Sequence, residues 1–348
     1  MRSLRPSYIG SLRLSADHAS TLQALGSYQG KQDLFRQQIP EILDVLLEAA
    51  IVESSESSNR LEGVTAPRER VEALVLKSAA PRNRSEQEIA GYRDALKLIH
   101  ESNAEMTFSV NVILQLHSML FRFLPAGGGR WKMTQNEIVE RHPDGTVRVR
   151  FTPVSPVATP GAMDDLARLY ARAVDRDLEP LVVIPLTVLD FLCIHPFADG
   201  NGRVGRLLTL LLLYHAGYEV GRYISLERIF EDSRESYYDT LEASSARWHD
   251  GGHDVVPWMT YFWGVMLRAY KEFEERVGTL RSGRGAKTEM IERAVARRSR
   301  PFGIVDIEAE CPGVSREMVR HVLRRLRDEG KLRLEGQGRG SKWVRCDD

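Results

Sequence analysis

His195-Pro196-Phe197-Ala198-Asp199-Gly200-Asn201-Gly202-Arg203-Val204-Gly205-Arg206 is the stretch on which the reading of this 348-residue chain turns. It lies between two apolar runs. Residues 185–194 read as a buried helix ending near His195, and residues 203–215 as a second apolar helix. The Gly-Asn-Gly turn therefore sits at a helix N-terminus, where backbone N–H groups lack intrahelical partners and suit a phosphate. Gly200 and Gly202 let the backbone approach an anion closely. Arg203 and Arg206 are three apart and share a helix face, so with the N–H nest they would neutralise a polyphosphate. Asp199 is a lone carboxylate; beside phosphates such a group binds Mg²⁺, with water and phosphate oxygens completing the octahedron. His195 is the nearby group that titrates close to neutrality, which makes it the general-base candidate.

Outward from this segment most of the chain reads as helix. Residues 41–51, 110–121, 164–174, 233–247 (with the pair Tyr237-Tyr238) and 258–277 carry helical spacing. Ser85 with Glu88 forms a capping-box signature ahead of another helix. A single hairpin interrupts the pattern. The alternation of TVRVRF at 146–151 and the Asp144-Gly145 pair are its signals. Pro153, Pro156 and Pro160 then mark an extended loop. Residues 281–287 (RSGRGAK) read as a polar, Gly-rich linker. Beyond it lie short helices, a helix over 314–329 and two strands in KLRLEGQGRGSKWVR, the order of a winged helix-turn-helix. The expected division is a helical region at 1–84, a catalytic core at 85–280, and a linker with a winged helix-turn-helix domain at 281–348.

Composition narrows the class. Apolar residues are 43% and charged residues 28%, as in a globular chain, and formal net charge is zero, so no global field points to nucleic acid or membrane. The strongly apolar run 207–214 is far too short to span a bilayer, and residues 1–15 lack an h-region. Cys193, Cys311 and Cys346 are scattered and contain no CxxC pair, which argues against a disulfide framework or zinc site. A reducing cytoplasm is the expected location, with no membrane partner. Charge is uneven: residues 281–348 hold 17 Lys and Arg against 11 Asp and Glu, a net of +6.

Residues 195–206 match the pattern HPFx[DE]GNGRxxR in full, and on it the chain resembles the Fic (Fido) family. EIAGYRDALKLI at 88–99, LHSML around His117 and RESYYDTLE at 234–242 extend the resemblance over about residues 38–270. It implies a mainly α, Fic-type helical domain with a β-hairpin flap. It also implies a protein adenylyltransferase, moving AMP from ATP to a Ser, Thr or Tyr hydroxyl, with self-modification allowed. In that reading His195 takes the hydroxyl proton and Asp199 holds Mg²⁺. Asn201 and the Gly200–Gly202 amides hold phosphate oxygens, within a nucleotide-binding segment that includes Val204 and Gly205. Arg203 and Arg206 stabilise the β/γ end, and Phe197 anchors the loop in the core. Tyr237 and Tyr238 resemble residues beside the adenine; plain core packing is the other reading for them. Ile138, Val139, Glu140 and Arg141 resemble the flap that pairs with the target as an added strand. Val139 stands where a glycine is frequent and FTPVSP replaces a tighter Pro-Pro run, so the register of target binding is open.

Two further segments carry expectations. Ser58-Asn59-Arg60-Leu61-Glu62-Gly63 matches [ST]xxxE[GN]. It reads either as a serine-rich helix end before Gly63 or, by its place ahead of the core, as an inhibitory segment in which Glu62 pairs with Arg206. The same glutamate could position water for AMP removal. At the C-terminus Arg316, Arg320 and Arg324 on a helix and Arg339 on a wing are candidate DNA contacts; a charged, solvated face is the alternative. The function classes are thus an autoinhibited AMP transferase, a nucleotide-sensing winged-helix DNA-binding regulator with little catalysis, or a Fic enzyme using another moiety or direction. The expected partners are ATP, a target protein, a second copy of the chain and DNA.

Overall fold

The computed structural model describes residues 2–38, 40–141, 145–284, 286–296, 298, 301–311, 314–336 and 341–346. The chain is mainly helical. In order it forms α1 (Pro6–Ser11), α2 (Ala16–Gln38), α3 (Pro40–Leu61), α4 (Arg68–Leu76), α5 (Arg84–Ser102), α6 (Val110–Leu120), β1 (Ile138–Arg141), β2 (Val147–Phe151), α7 (Thr159–Asp175), α8 (Pro180–Ile194), α9 (Asn201–His215), α10 (Leu226–Asp232), α11 (Arg234–Ser245), α12 (Val256–Arg284), α13 (Ala286–Ala296), α14 (Ile304–Glu310), α15 (Arg316–Asp328), β3 (Leu332–Glu335) and β4 (Lys342–Arg345). Two compact units result, Met1–Phe273 and Glu274–Asp348.

In the first unit α8 and α9 are buried on nearly every face, the placement a helix apolar all round requires. Pro185 lies inside α8 and has no N–H to give the Leu181 carbonyl. That carbonyl is taken instead by Trp263 Nε1 at 2.7 Å. Gly205 lets α9 approach α8 closely: a Cβ there would sit 3.1 Å from Leu192 Cδ2.

α3 packs against α4, α5 and α10. Its serines Ser54, Ser55, Ser57 and Ser58 are buried. Small side chains permit the close approach, and hydroxyls need partners there. Glu227 of α10, fully buried, accepts from Ser54 Oγ at 2.8 Å and from Tyr92 Oη of α5 at 2.8 Å. Because of this packing no boundary between compact units falls at the expected 84/85 division.

Local signals required three corrections. The capping box of Ser85 and Glu88 does not form. Asn83 caps α5 by accepting from Glu86 N at 2.9 Å, and Glu88 turns inward. Pro160 does not extend the loop but stands in the first turn of α7, where its missing N–H costs nothing. The expected linker at 281–287 is helical on both sides of residue 285: α12 runs to Arg284 and α13 begins at Ala286.

The hairpin β1–β2 is antiparallel, with Ile138 opposite Phe151, Val139 opposite Val149, and a bulge between Ile138 and Val139. Asp144 of its expected turn lies outside the described residues; Gly145 has φ 84°. In the second unit α13, α14 and α15 and the hairpin β3–β4 surround Ile291, Phe302, Ile307, Val319, Leu323, Leu332 and Trp343. Phe302 exchanges two backbone hydrogen bonds with Trp343, at 3.0 and 2.8 Å, which ties the segment before α14 to β4. Cys193 and Cys346 are free thiols. No helix among the described residues is long and apolar enough to cross a membrane.

Candidate active site

α8 ends at His195, whose backbone is left-handed (φ 51°, ψ 60°). Its Nδ1 lies 3.2 Å from the Leu192 carbonyl. A carbonyl only accepts, so Nδ1 carries the hydrogen and Nε2 keeps its lone pair. Burial pushes the imidazole pKa down to about 4; the Leu192 bond and the carboxylates of Glu62 and Asp199 oppose this without overcoming it. At neutral pH the ring is therefore uncharged and Nε2 is a base.

The following loop is clamped from three directions. Phe197 is fully buried and stacks on His117 with 3.7 Å between ring centroids. His117 Nδ1 accepts from Gly129 N–H at 2.7 Å, so its Nε2–H donates to the Asp199 carbonyl at 3.1 Å. Lys132 donates from its backbone to Pro196 O at 2.8 Å and from Nζ to Ile194 O at 3.1 Å and Asn136 Oδ1 at 2.8 Å. Asn136 Nδ2 in turn donates to Phe197 O at 2.9 Å. Asn201 holds the same residue from the far side: its Oδ1 accepts from Phe197 N–H at 2.9 Å and its Nδ2 donates to Phe197 O at 2.8 Å. Its amide, expected on a phosphate, is thus occupied in shaping the loop.

α9 starts on Gly200, which is left-handed (φ 81°) and packed so closely that a Cβ would lie 2.8 Å from the Phe121 ring. The two arginines then part company. Arg203 is 1% exposed and bonds Glu88 Oε2 at 2.5 Å and Asn59 Oδ1 at 3.2 Å; it does not line the cleft. Arg206 does line it. Its Nε donates to Ser58 Oγ and its Nη2 to Ser58 O and Glu62 Oε1, each at 2.8 Å, while Nη1 is buried without a hydrogen-bond partner.

Glu62 is delivered by the end of α3. Gly63, at φ 79°, donates to Arg60 O, and Val64 N–H reaches back to Asn59 O, each at 3.0 Å. This pair of bonds is a Schellman termination, for which glycine is the favoured residue. It aims the Glu62 carboxylate at the start of α9, where a Cβ on Gly202 would lie 2.2 Å from Glu62 Oε1. Burial raises the Glu62 pKa, but the charge and hydrogen bond of Arg206, with Arg203 behind it, outweigh that and hold it below the ordinary carboxylate range.

These groups meet in a cleft of about 290 Å³. Of the sequence-derived candidates, Glu62, Ile138, His195, Asp199, Gly200, Asn201, Gly202, Arg206, Tyr237 and Tyr238 line it. Val204 is core and Gly205 faces α8. Tyr237 is 4% exposed, and Tyr238 Oη donates to Leu61 O at 3.3 Å. The Asp199 side chain is 60% exposed, with Oδ1 accepting from Gly200 N–H at 2.6 Å. Among the described residues no group of three His, Cys, Asp or Glu is placed to hold a metal, so a cation here would depend on Asp199 and on ligand oxygens. Beside the cleft, strand β2 is pinned to α11 by Arg148 and Arg150 on Glu242, the latter at 2.9 Å, and Phe151 stacks on His249. Val139 is exposed. The Glu140 and Arg141 side chains lie outside the described residues.

A histidine, a glycine-lined helix start and an arginine thus line one cleft beside a hairpin within a helical fold. Residues 107–213 match the Fic/DOC family, and the chain carries a Fic/DOC family domain there. A Nematostella vectensis relative named protein adenylyltransferase Fic is 28% identical over 54% of this chain and 42% of its own length. Protein adenylyltransferase fic-1 of Caenorhabditis elegans is 27% identical over 39% of this chain and 25% of its own. The chain thus spans less than half the length of these curated relatives. In fold it is similar to a Fic family protein from Desulfovibrio desulfuricans G20 (TM-score 0.65, 19% identity, 97% of this chain and 98% of that one). It is also similar to a Fic domain containing signaling protein from Bacteroides thetaiotaomicron (TM-score 0.59, 22% identity, 72% and 94%).

Sequence reading missed Glu88, Lys132 and Asn136, and cited His117 only as part of a helix. Glu88 had a signal: it shares a helical face with Tyr92, Leu96 and Ile99, so a carboxylate stands in an apolar stripe. Lys132 and Asn136 precede a strand in irregular chain and gave none.

The buried histidines make a pH prediction. Burial holds His100 at about 3 and His117 and His195 at about 4, all below the ordinary 6.5. Between these values the unfolded chain binds protons that the folded chain refuses. Stability is therefore complete above about pH 6.5 and falls toward pH 4, by several kcal/mol on the order-of-magnitude scale of such shifts. Urea unfolding at pH 7 and pH 5 checks this; equal midpoints would refute it.

Proposed function

We propose that this chain transfers AMP from ATP to a Ser, Thr or Tyr hydroxyl of a protein, and that Glu62 restrains the transfer. The observation that carries the reading is a neutral His195, its Nδ1–H spent on Leu192, in one cleft with the α9 N-terminus and an Arg206 whose Nη1 lacks a hydrogen-bond partner. His195 Nε2 takes the proton of the target hydroxyl. That oxygen forms a bond to the α-phosphorus of ATP as the bond to pyrophosphate breaks. The Gly200–Gly202 segment and Arg206 face the phosphates, supplying positive potential where charge develops on the leaving group. Asp199 would hold Mg²⁺, which neutralises phosphate charge when bound. Tyr237 and Tyr238, with Leu189, Leu192 and Leu241, offer the apolar wall a nucleobase needs. The bulged hairpin overhanging the cleft is the surface on which a target segment pairs.

The test is intact mass after incubation with Mg²⁺ and ATP, comparing wild type, Glu62→Gly and His195→Ala in the Glu62→Gly background. One added AMP is expected in Glu62→Gly. In the double variant the rate falls by roughly 10²–10⁴, the usual contribution of a general base. UTP in place of ATP separates AMP transfer from transfer of another moiety. Glu62→Gly that binds ATP yet modifies neither itself nor any lysate protein would overturn the reading.

A further inference from the structure

The second unit has more arginines than it can use internally. Several of its cations are neutralised by ion pairs. Arg316 faces Glu308 at 3.7 Å, Arg325 pairs with Glu292 and with Glu329, Arg327 bonds Asp328 at 2.7 Å, and Lys331 bonds Glu329 at 2.7 Å. Arg333 bonds Glu335 at 2.9 Å, and Arg298 pairs with Glu310. Two remain. Arg320 and Arg324 of α15 are exposed and make no ion pair or hydrogen bond among the described residues. They stand one turn apart, about 6 Å along the axis at the helical rise, with His321 exposed between them.

The opposite face of α15 is fully engaged. Val319, Val322, Leu323 and Leu326 are buried in the unit's core. The helix thus rests on its own hydrophobic support and presents a continuous polar arc that the fold leaves uncovered. Ser315 caps its start by accepting from Met318 N–H at 3.3 Å, so the first turn is ordered. The β3–β4 hairpin follows directly and carries an exposed Lys342. Arg339, read from sequence as a wing contact, lies outside the described residues.

We propose that this unit binds duplex DNA through the exposed face of α15, with Arg320 and Arg324 as the groups that meet it. The proposal is independent of the AMP-transfer reading. A helix of about 10–12 Å diameter fits the B-form major groove, about 12 Å wide. The deep, narrow major groove of A-form RNA does not admit one. A membrane surface is a poor match, because the arc holds no large apolar side chain to enter it. Unpaired guanidiniums suit phosphate oxygens or the O6 and N7 acceptors of guanine. Glu317, exposed beside them, only accepts, and in a groove that suits the amino group of cytosine. Like-charged arginines one helical turn apart repel each other, and a polyanion relieves that repulsion.

The experiment is fluorescence anisotropy of a fluorescein-labelled 30-bp DNA duplex of mixed sequence, titrated with the full chain at 50 and 200 mM salt. An RNA duplex of the same sequence is titrated in parallel. Wild type is expected to bind the DNA, with an affinity that falls steeply with salt, and to bind the RNA more weakly. Arg320→Ala/Arg324→Ala is expected to weaken DNA binding ten-fold or more and to flatten the salt slope by roughly two charges. Arg325→Ala removes an already neutralised cation and is expected to change affinity less than two-fold. Equal melting curves for all three proteins show that the fold is kept, and Arg320→Lys/Arg324→Lys, which keeps the charge, should restore much of the binding. No binding at 50 mM salt overturns the proposal. So does a double alanine variant that binds like wild type, a preference for the RNA duplex, or an equal loss in Arg325→Ala.

Discussion

On the proposed AMP-transfer reading, Glu62→Gly is expected to raise the initial rate about a hundred-fold over wild type, the scale on which misplacement of a reacting group by about 1 Å is felt. The reason is positional. In the folded chain the Glu62 carboxylate takes an Nη2 donor of Arg206 and lies where a Cβ on Gly202 would be 2.2 Å away. That is the place at the start of α9 that an anion would use. A fixed negative charge there repels phosphate and occupies the cation meant to meet it. Because Arg206 keeps Glu62 below the ordinary carboxylate range, the charge persists at neutral pH and mild acid does not remove it. Glycine is well tolerated at the end of a helix, Gly63 still provides the left-handed residue, and Ser58 still holds Arg206 by two bonds, so the fold should survive. Glu62→Gln separates charge from shape and should fall between the two. The measurement is the time course of self-modification by intact mass. A Glu62→Gly rate equal to wild type, with His195→Ala silent, would remove the restraint from the account while leaving the transfer intact.

Glu88→Ala is expected to lower the unfolding free energy by about 3–5 kcal/mol, the cost of leaving a buried charge without its partner. Arg203 is 1% exposed, and its remaining bonds are a single one at 3.2 Å to Asn59 and a 3.5 Å contact to Asp199, with Nε unsatisfied. Water cannot reach the guanidinium to replace the lost carboxylate. The damage should not stay local, since Arg203 stacks near Phe121 and underlies the Gly200 turn. Chemical denaturation of the variant, followed by intrinsic fluorescence, reads the loss. Glu88→Gln keeps a hydrogen-bond acceptor but not the charge, and should cost less. A Glu88→Ala protein as stable as wild type would mean that Arg203 finds another partner and that the pair is dispensable.

These two glutamates show where sequence reading stops. The pairing of Glu62 with Arg206, 144 residues away, was anticipated from a short local pattern, Ser58 four residues earlier and Gly63 one later, read through its resemblance to a family segment ahead of the core. Glu88 was equally visible but was assigned to a capping box with Ser85, since that too is a local pattern. One oxygen does take a local partner, Arg84 one turn back, but its buried partner, Arg203, is 115 residues away. Asn201 and Arg203 repeat the lesson inside the motif itself. Their spacing says that they sit near phosphate-binding amides. It does not say that one braces Phe197 and the other turns away from the cleft to Glu88.

By itself the sequence determined what short-range chemistry determines. It set Gly63 at a helix end and Gly200 in a turn, the apolar helices flanking residues 195–206, and the hairpin signalled by alternation. Each follows from backbone sterics or from the period of one element, which a chain carries wherever it folds. Only the tertiary structure decided which arginine faces the cleft, which nitrogen of His195 is free, why Gly202 has no room for a side chain, and which arginines of α15 remain unpaired. Those depend on which surfaces meet: in a dry interior a charge or N–H left without a partner is costly, and packing decides which of them finds one.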